Sequence, residues 1–175
     1  MIGERIHIGH ATNRDAGWIT AHMRSGDRQE VSCQFPSATD QELAVALASE
    51  KDAYIAYRDG EPVLLFGVSP MCEVGLSVWA LGTDKAKRVI PHVTRYFVNQ
   101  LMPVKMREGY RWMEARSIAT HYEAHEWMKK TGAEARLRLP DYGKDHEDFI
   151  LFRWTTSSYY TAAALRWRDK HASNR

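Results

Sequence analysis

Residues 73–132 of this chain read EVGLSVWALGTDKAKRVIPHVTRYFVNQLMPVKMREGYRWMEARSIATHYEAHEWMKKTG. The apolar run over residues 74–81 predicts a β-strand, and Gly82-Thr83-Asp84 predicts the turn that ends it. A basic stretch with helix-forming composition follows over residues 85–108. The turn therefore joins a strand to the beginning of a long helical region.

A second strand and a second helix complete this unit. Residues 111–115 predict the strand, and residues 121–131 predict a short helix that Gly132 closes. Strand, helix, strand and helix within roughly 60 residues form a βαβα unit.

The residues before this unit predict one strand, two helices and a loop. Polar and apolar residues alternate over residues 5–10, which indicates a strand. A helix is expected from residue 14 to the pair Gly26-Asp27, and residues 30–37 are expected to be irregular. Residues 39–50 begin with a capping-box pattern, which predicts a second helix.

Further apolar runs predict the remaining strands. Residues 53–57 and 62–68 flank a glycine-containing turn and predict a hairpin. Residues 72–81 follow directly as a third strand, so the middle of the sheet is expected to be antiparallel. Residues 134–139 alternate in polarity, and residues 149–154 are almost continuously apolar, which predicts a final pair of strands.

The composition is that of one ordinary globular domain. The chain has 175 residues, of which 44% are hydrophobic and 26% charged. No apolar run approaches the roughly 20 residues that cross a bilayer, so no membrane association is expected. The net charge of +2 makes nucleic acid an unlikely partner. The first residues lack the pattern of a signal peptide, so we expect a cytoplasmic protein in which Cys33 and Cys72 are free thiols.

The end of the chain differs from the rest, which predicts a main domain over residues 1–154 and a basic C-terminal tail over residues 155–175. Residues 155–158 resemble a linker, and residues 159–170 have the composition of a helix. Two interpretations stay open: a solvated tail, or a docking arm whose aromatic side chains would be costly to expose without a partner. These aromatic residues are Tyr159, Tyr160 and Trp167.

The order of the predicted elements resembles the GCN5-related N-acetyltransferase (GNAT) fold over almost the whole chain. This resemblance implies a mixed α/β (α+β) domain, in which a central, mostly antiparallel, splayed sheet is flanked by helices. In acetyl-CoA-dependent enzymes of this fold, the βαβα unit forms the cofactor half, and the turn after its first strand holds the pyrophosphate.

Three sequence strings resemble a narrower family. Residues 78–84 (VWALGTD), 121–133 (HYEAHEWMKKTGA) and 140–143 (PDYG) are similar to tailed-phage proteins known as internal virion protein A or GNAT-like phage proteins. This family implies a protein made late in phage assembly and implies no demonstrated chemistry. The family tends to have Asn where this chain has His121, so a cofactor contact at that position would have to come from an imidazole.

The turn after residues 74–81 departs from the pattern of acetyltransferases. Those enzymes use a Gln/Arg-x-x-Gly-x-Gly/Ala turn, whose glycines let backbone N–H groups approach the phosphates. This chain has a single glycine, Gly82, and Asp84 places a carboxylate where a phosphate would lie. Thr83 or Asp84 is better explained as a helix cap. If a cofactor does bind, the expected contacts are Leu81, Gly82, Thr83, Lys85, Lys87, Arg88 and His121.

Glu73 and Tyr122 are the candidate catalytic residues. By analogy with the GNAT fold, Glu73 would act as the base and Tyr122 would protonate the leaving thiolate. Glu114 is a further acid–base candidate, and a surface or packing role is the simpler interpretation of each residue. His121 and His125 share a helix face but lack a third ligand, so no metal site is predicted.

Two functional hypotheses follow. The leading one is a phage virion-assembly protein whose GNAT-like fold lacks the standard acetyl-CoA pyrophosphate loop, binds no cofactor and acts through protein–protein surfaces. Such a protein would lie in the host cytoplasm or the virion, and would bind phage structural proteins or associate with itself through the tail. The alternative is an acyl-CoA-dependent N-acetyltransferase with an irregular cofactor site, in which backbone N–H groups of residues 83–87 hold acetyl-CoA. Whether the chain is an enzyme stays open. Nucleic-acid binding is a third and weaker functional hypothesis.

Overall fold

The computed structural model describes residues 5–161 and shows a seven-stranded sheet with helices on both faces. The strands are β1 (Ile6–His10), β2 (Asp52–Arg58), β3 (Glu61–Cys72), β4 (Gly75–Gly82), β5 (Trp112–Ile118), β6 (Glu134–Leu139) and β7 (Phe149–Thr155). The helices are α1 (Asn13–Ala21), α2 (Ser25–Gln34), α3 (Asp40–Ala48), α4 (Ile90–Tyr96), α5 (Met102–Arg107) and α6 (Tyr122–Lys130). None of the described helices is long and apolar enough to cross a bilayer.

The strands lie in the order β1-β2-β3-β4-β5-β7-β6, and every neighbouring pair is antiparallel except β4 and β5. The helical region between β4 and β5 is a crossover connection, which makes these two strands parallel. Their ladder ends at the pair Ser77 and Glu114, and residues 78–82 and 115–118 of the described chain are not paired with one another. The mixed, mostly antiparallel and splayed sheet confirms the predicted fold class.

The main core lies between the sheet and helices α4 to α6. Val93, Phe97 and Leu101, which the sequence predicts to face the core, are all buried there together with Trp154 of β7. On the other face of the sheet, α1 and α3 pack through a second buried cluster. Its members are Ala16, Ile19, Ala44, Ile55, Leu65 and Leu81.

Helix α3 begins as the sequence predicts. Thr39 Oγ1 accepts a hydrogen bond from the Glu42 N–H at 3.2 Å, and Glu42 Oε2 accepts one from the Thr39 N–H at 2.9 Å. This reciprocal pair satisfies two N–H groups that the first turn of a helix leaves without an internal partner, and it confirms the capping box.

The helical stretch expected over residues 85–108 is divided into shorter segments. A single 3₁₀ turn covers Ala86–Arg88, and a π-helical segment covers Phe97–Leu101 between α4 and α5. Pro91 and Pro103 lie in the first turns of α4 and α5. A proline is tolerated there because the N–H that it lacks would have had no partner within the helix.

The prediction of an irregular loop over residues 30–37 is wrong, because α2 extends from Ser25 to Gln34. This helix has few apolar residues, and no side chain caps its N-terminus at Arg24. Its stability therefore depends on contacts with the rest of the protein, which local sequence patterns do not reveal. The pair Gly26-Asp27, which resembles a helix end, lies in the first turn of α2.

The linker expected over residues 155–158 is the end of β7 and the start of a helical segment that is described to residue 161. Thr155 Oγ1 accepts a hydrogen bond from the Ser158 N–H at 3.0 Å, which caps this segment. Tyr159 packs against the main core and donates its hydroxyl to the Val98 carbonyl at 3.0 Å. The rest of the predicted tail, including Trp167, lies outside the described residues.

Candidate active site

The splayed strands β4 and β5 create a crevice at one edge of the sheet. The two strands are parallel, so their carboxyl ends at Gly82 and Ile118 lie at the same edge, beyond the last ladder pair. Ligands of α/β proteins commonly bind outside the carboxyl ends of parallel strands, where neighbouring strands separate. This crevice, which we call the β4–β5 crevice, is therefore the first place to look for a functional site.

Asp27 of α2 reaches the β4 side of the crevice. Its Oδ2 accepts a hydrogen bond from the Gly82 N–H at 2.6 Å, and its Oδ1 lies 2.9 Å from Nε of Arg24. The Arg24 N–H also donates to the Gly82 carbonyl at 2.9 Å. Asp27 is only 4% exposed, and this burial raises the pKa of its carboxyl although Arg24 opposes the shift.

Glu30, one helical turn further along α2, reaches the β5 side of the crevice. Its Oε1 accepts hydrogen bonds from the Ser117 hydroxyl and from the Ile118 N–H, the latter at 2.8 Å. The same oxygen lies 3.0 Å from Nδ1 of His121. This hydrogen bond to Glu30 raises the pKa of the His121 imidazole, although burial opposes the shift.

A third contact holds the C-terminal end of α2. The Lys144 N–H in the β6–β7 loop donates to the Cys33 carbonyl at 3.1 Å. Burial and the neighbouring Glu147 carboxylate raise the pKa of the Cys33 thiol to about 11, so this thiol stays protonated at neutral pH. Residues 27, 30 and 33 share one face of α2, and that face spans the crevice.

Four backbone donors in and after the turn that follows β4 are already in use. The Gly82 N–H donates to the carboxylate of α2, and the Thr83 N–H donates to the Val63 carbonyl at 3.0 Å. The N–H groups of Lys85 and Ala86 both donate to Thr83, to its hydroxyl and its carbonyl respectively. These four donors therefore do not point into a free space that could receive phosphate oxygens.

The turn is also closely packed. A Cβ placed on Gly82 would lie 2.8 Å from Cβ of Ala86 and 3.0 Å from Cδ1 of Leu64, so Gly82 allows the backbone to approach its own neighbours and forms no open cradle. In this conformation Gly82 itself leaves no room for a phosphate group beside its N–H.

The predicted cofactor contacts have different environments. Leu81 and Thr83 are buried, whereas the basic side chains of the group are exposed. Lys85 forms an ion pair with Glu61 at 2.7 Å, and Lys87 approaches Glu123 at 3.3 Å. The exposed basic residues are Lys85, Lys87 and Arg88. Their role in binding stays a prediction.

Glu73 and Tyr122 do not lie near each other. Glu73 is exposed in the turn between β3 and β4, whereas Tyr122 is the first residue of α6 and is 71% exposed. They flank opposite ends of the parallel pair, and the eight residues of β4 alone extend over about 25 Å. The two residues therefore cannot act on one reacting centre in this conformation, and their individual catalytic roles stay predictions.

Glu114 lies at the point where β4 and β5 separate. It is buried, and its two carboxylate oxygens each accept a hydrogen bond at 2.7 Å, one from Arg116 and one from Arg153. Arg153 also lies over the ring of Trp112 at 4.5 Å from its centroid. Glu114 therefore holds both guanidinium groups beside the point where the two strands separate.

The two histidines of residues 121–133, His121 and His125, have different partners. His121 faces the crevice and Glu30, whereas His125 is buried and its Nε2 lies 3.1 Å from the Ile118 carbonyl. Burial lowers the pKa of His125. Among residues 5–161, no group of three or more His, Cys, Asp or Glu side chains is arranged to hold a metal ion.

We expect the two imidazoles to titrate on opposite sides of their ordinary pKa of about 6.5. His121 should titrate above that value because its cation is stabilised by Glu30, and His125 should titrate below it because burial disfavours its cation. Imidazole NMR signals followed from about pH 5 to about pH 9 would measure both pKa values, because this range lies on both sides of the ordinary value of about 6.5. The Glu30→Gln variant should lower the pKa of both imidazoles, and that of His121 more, because Glu30 is a hydrogen-bond partner of His121 and acts on His125 only through its charge. A His121 pKa that does not respond to Glu30→Gln would contradict the proposed pairing.

The residues that matter most in the crevice are ones that sequence reasoning missed. Asp27 and Glu30 are three residues apart, which places them on one face of a helix, but residues 30–37 resemble a loop. Only the spacing of Asp27, Glu30 and Cys33 could have indicated a polar inward face, and it is informative only if α2 is already recognised as a helix.

Comparison with known proteins gives matches in structure and none in sequence. No protein-family model matches the chain, and neither does any curated protein. The structure is similar to N-acetyltransferase from Staphylococcus aureus Mu50, with 12% identity and a TM-score of 0.70 over 86% of this chain and 98% of that one. It is similar to ribosomal-protein-alanine N-acetyltransferase from Brucella melitensis, with 14% identity and a TM-score of 0.68 over 85% of this chain and 99% of that one. It is also similar to yncA from Salmonella typhimurium, solved with its cofactor acetyl-CoA, with 10% identity and a TM-score of 0.67 over 86% of this chain and 93% of that one.

These similarities confirm the GNAT fold, and at such low identities they show the fold alone. They correct the expectation that no cofactor is involved, because a protein of the same fold was solved with acetyl-CoA. They give no support to the resemblance with tailed-phage proteins.

Proposed function

We propose that the chain is an N-acyltransferase that takes its acyl group from acyl-CoA. The observation that carries this proposal is the β4–β5 crevice, where two parallel strands separate after Ser77 and Glu114 and ionisable side chains meet. Three N-acetyltransferase-fold neighbours, two of them named as N-acetyltransferases and one solved with acetyl-CoA, support the assignment of this crevice to acyl transfer.

The crevice holds a pair of groups suited to accepting the proton that an amine loses when it is acylated. His121 is only 14% exposed, and its Nδ1 lies 3.0 Å from a carboxylate oxygen of Glu30. If the neutral imidazole donates from Nδ1 to Glu30, Nε2 is left as the proton acceptor. Glu30 would then fix the tautomer and stabilise the cation that forms, as a carboxylate does beside a catalytic histidine. Acyl-CoA would supply the thioester, and the chain would supply orientation and proton transfer.

Two measurements on the intact chain test this proposal. Isothermal titration calorimetry should detect acetyl-CoA binding. A thiol-release assay should show time-dependent formation of free CoA with at least one amine class among peptide N-termini, lysine side chains and small primary amines. The absence of binding at millimolar acetyl-CoA, together with no thiol release, would overturn the proposal.

A further inference from the structure

Two arginines share one buried carboxylate at the point where β4 and β5 separate. Glu114 is buried, and its two carboxylate oxygens accept hydrogen bonds from Arg116 and Arg153, each at 2.7 Å. The arginine side chains are 31% and 35% exposed, so both guanidinium groups still reach solvent. We call these two residues the Arg116–Arg153 pair.

Each guanidinium group of the pair has donors that Glu114 does not use. A guanidinium carries five N–H donors in a rigid planar arrangement, and one nitrogen of each group contacts Glu114. Nε of Arg153 is shielded from solvent and has no hydrogen-bond partner among residues 5–161. Trp112 covers one face of the Arg153 guanidinium at 4.5 Å and thereby limits its movement. The pair is therefore held in place and can donate to a further acceptor.

The charges on this part of the sheet leave one positive charge unbalanced. Arg153 pairs across the strands with Glu114 of β5 and with Glu134 of β6, so the three side chains share one face of the sheet. Glu134 also forms an ion pair with Arg136 at 3.0 Å. Together with Arg116, three arginines therefore face two glutamates. One excess positive charge suits a single carboxylate better than the two phosphate groups of a diphosphate, which favours an amine acceptor over acyl-CoA as the ligand of the pair.

The pair lies beside an apolar strip on the face of the sheet that is opposite to the main core. Phe152 of β7 points into the main core, so its neighbours Leu151 and Arg153 point to the other face. Strand register places Leu151 between Arg116 and Leu137, and Leu137 is 55% exposed. Within the described part of the chain, the cluster under α1 and α3 includes no residue of β5, β6 or β7. A ligand on the pair can therefore place an apolar segment on this strip.

The pair is also close to the proposed proton acceptor. Arg116 precedes Ile118 by two residues, and the Ile118 N–H donates to Glu30, the partner of His121. Two residues of a strand extend over about 7 Å. A carboxylate on the pair and an amine beside His121 are therefore separated by a distance on the order of 7 Å, about the length of a chain of five methylene groups.

We propose that the amine acceptor carries a carboxylate, and that Arg116 and Arg153, positioned by Glu114, bind this carboxylate beside the β4–β5 crevice. The middle of the acceptor lies on Leu151 and Leu137, and its amine lies at the proton-transfer pair. The proposal rests on the proposed function for the role of the ligand as an acyl acceptor. Binding of the carboxylate does not itself depend on acyl transfer, so the two can be tested apart.

The test compares ε-aminocaproate with its amide, ε-aminocaproamide, which differs from it in the carboxylate alone. Titration calorimetry, without cofactor and again with excess CoA, should give a Kd about tenfold lower for the carboxylate than for the amide. Arg116→Gln should raise the Kd of the carboxylate about tenfold and leave that of the amide unchanged, and Arg116→Lys should restore part of the loss. The matched control is Arg95→Gln, which removes an exposed arginine of α4 on the main-core side of the sheet and should change neither Kd.

The outcomes separate this carboxylate site from the proposed function. If the carboxylate and the amide bind equally, or if Arg116→Gln leaves both Kd values unchanged, the site is overturned and acyl transfer stands on its own thiol-release assay. If the carboxylate binds as expected but no amine releases CoA, the site stands and the proposed function is overturned. If Arg116→Gln weakens acetyl-CoA binding and not that of ε-aminocaproate, the pair serves the cofactor and the proposal is wrong. If this variant does not fold, the two ligands compared on the unaltered chain decide.

Discussion

Replacing Trp154 with alanine should lower the free energy of unfolding by about 4 kcal/mol. The Trp154 side chain is fully buried, and its ring lies 5.6 Å from that of Phe97 and 6.3 Å from that of Trp127. Its Nε1–H also donates to the Thr131 hydroxyl at 3.1 Å. Truncation would leave a large cavity where β7, the crossover region and α6 meet, and would leave a buried hydroxyl without that donor. Urea denaturation followed by circular dichroism would measure the loss.

The control for this substitution is Trp18→Ala. Trp18 is 42% exposed and stacks on His22 at the surface of α1, so its loss should cost about 1 kcal/mol or less. The two variants should unfold with similar denaturant slopes, which shows that both remain two-state. If Trp154→Ala lowers the free energy of unfolding no more than Trp18→Ala does, the contacts around Trp154 contribute little to stability.

The positions that form this core were predictable because their patterns are local. The spacing of Val93, Phe97 and Leu101 follows the period of a helix, and the apolar run over residues 149–154 indicates a buried strand. The capping box at Thr39 is equally local, since donor and acceptor are three residues apart. Elements whose own residues determine their structure were therefore placed correctly.

The functional crevice was not predictable for the opposite reason. Helix α2 lacks a cap and an apolar face, and it is held by Gly82 and Ile118, which are 55 and 88 residues away from their partners in α2. No local pattern encodes a contact at such separation. The departure of the turn from the acetyltransferase pattern could be seen in the sequence, but the contact between Asp27 and Gly82 could be seen only in the structure.

His121→Ala should lower the rate of acyl transfer by about 100-fold or more, the range over which a positioned acid–base group contributes to catalysis. The imidazole lies beside Glu30 at the β5 side of the crevice, where it can accept the proton of the amine. Only neutral His121 can act in this way, and its pKa is raised above the ordinary value, so the rate should rise with pH as His121 loses its proton. The pH dependence of kcat/KM with the best amine substrate would measure this rise of the rate with pH, which we call the pH limb.

Three variants separate proton transfer from a merely structural role of His121. Glu30→Gln should move the pH limb to lower pH, because it removes the carboxylate that stabilises the imidazolium, and His121→Ala should abolish the limb. His92→Ala, in which an exposed histidine of α4 is removed, should leave both the rate and the pH profile unchanged. A His121→Ala protein that is folded and slow but keeps the original pH limb would show that His121 positions the crevice, and that another group accepts the proton.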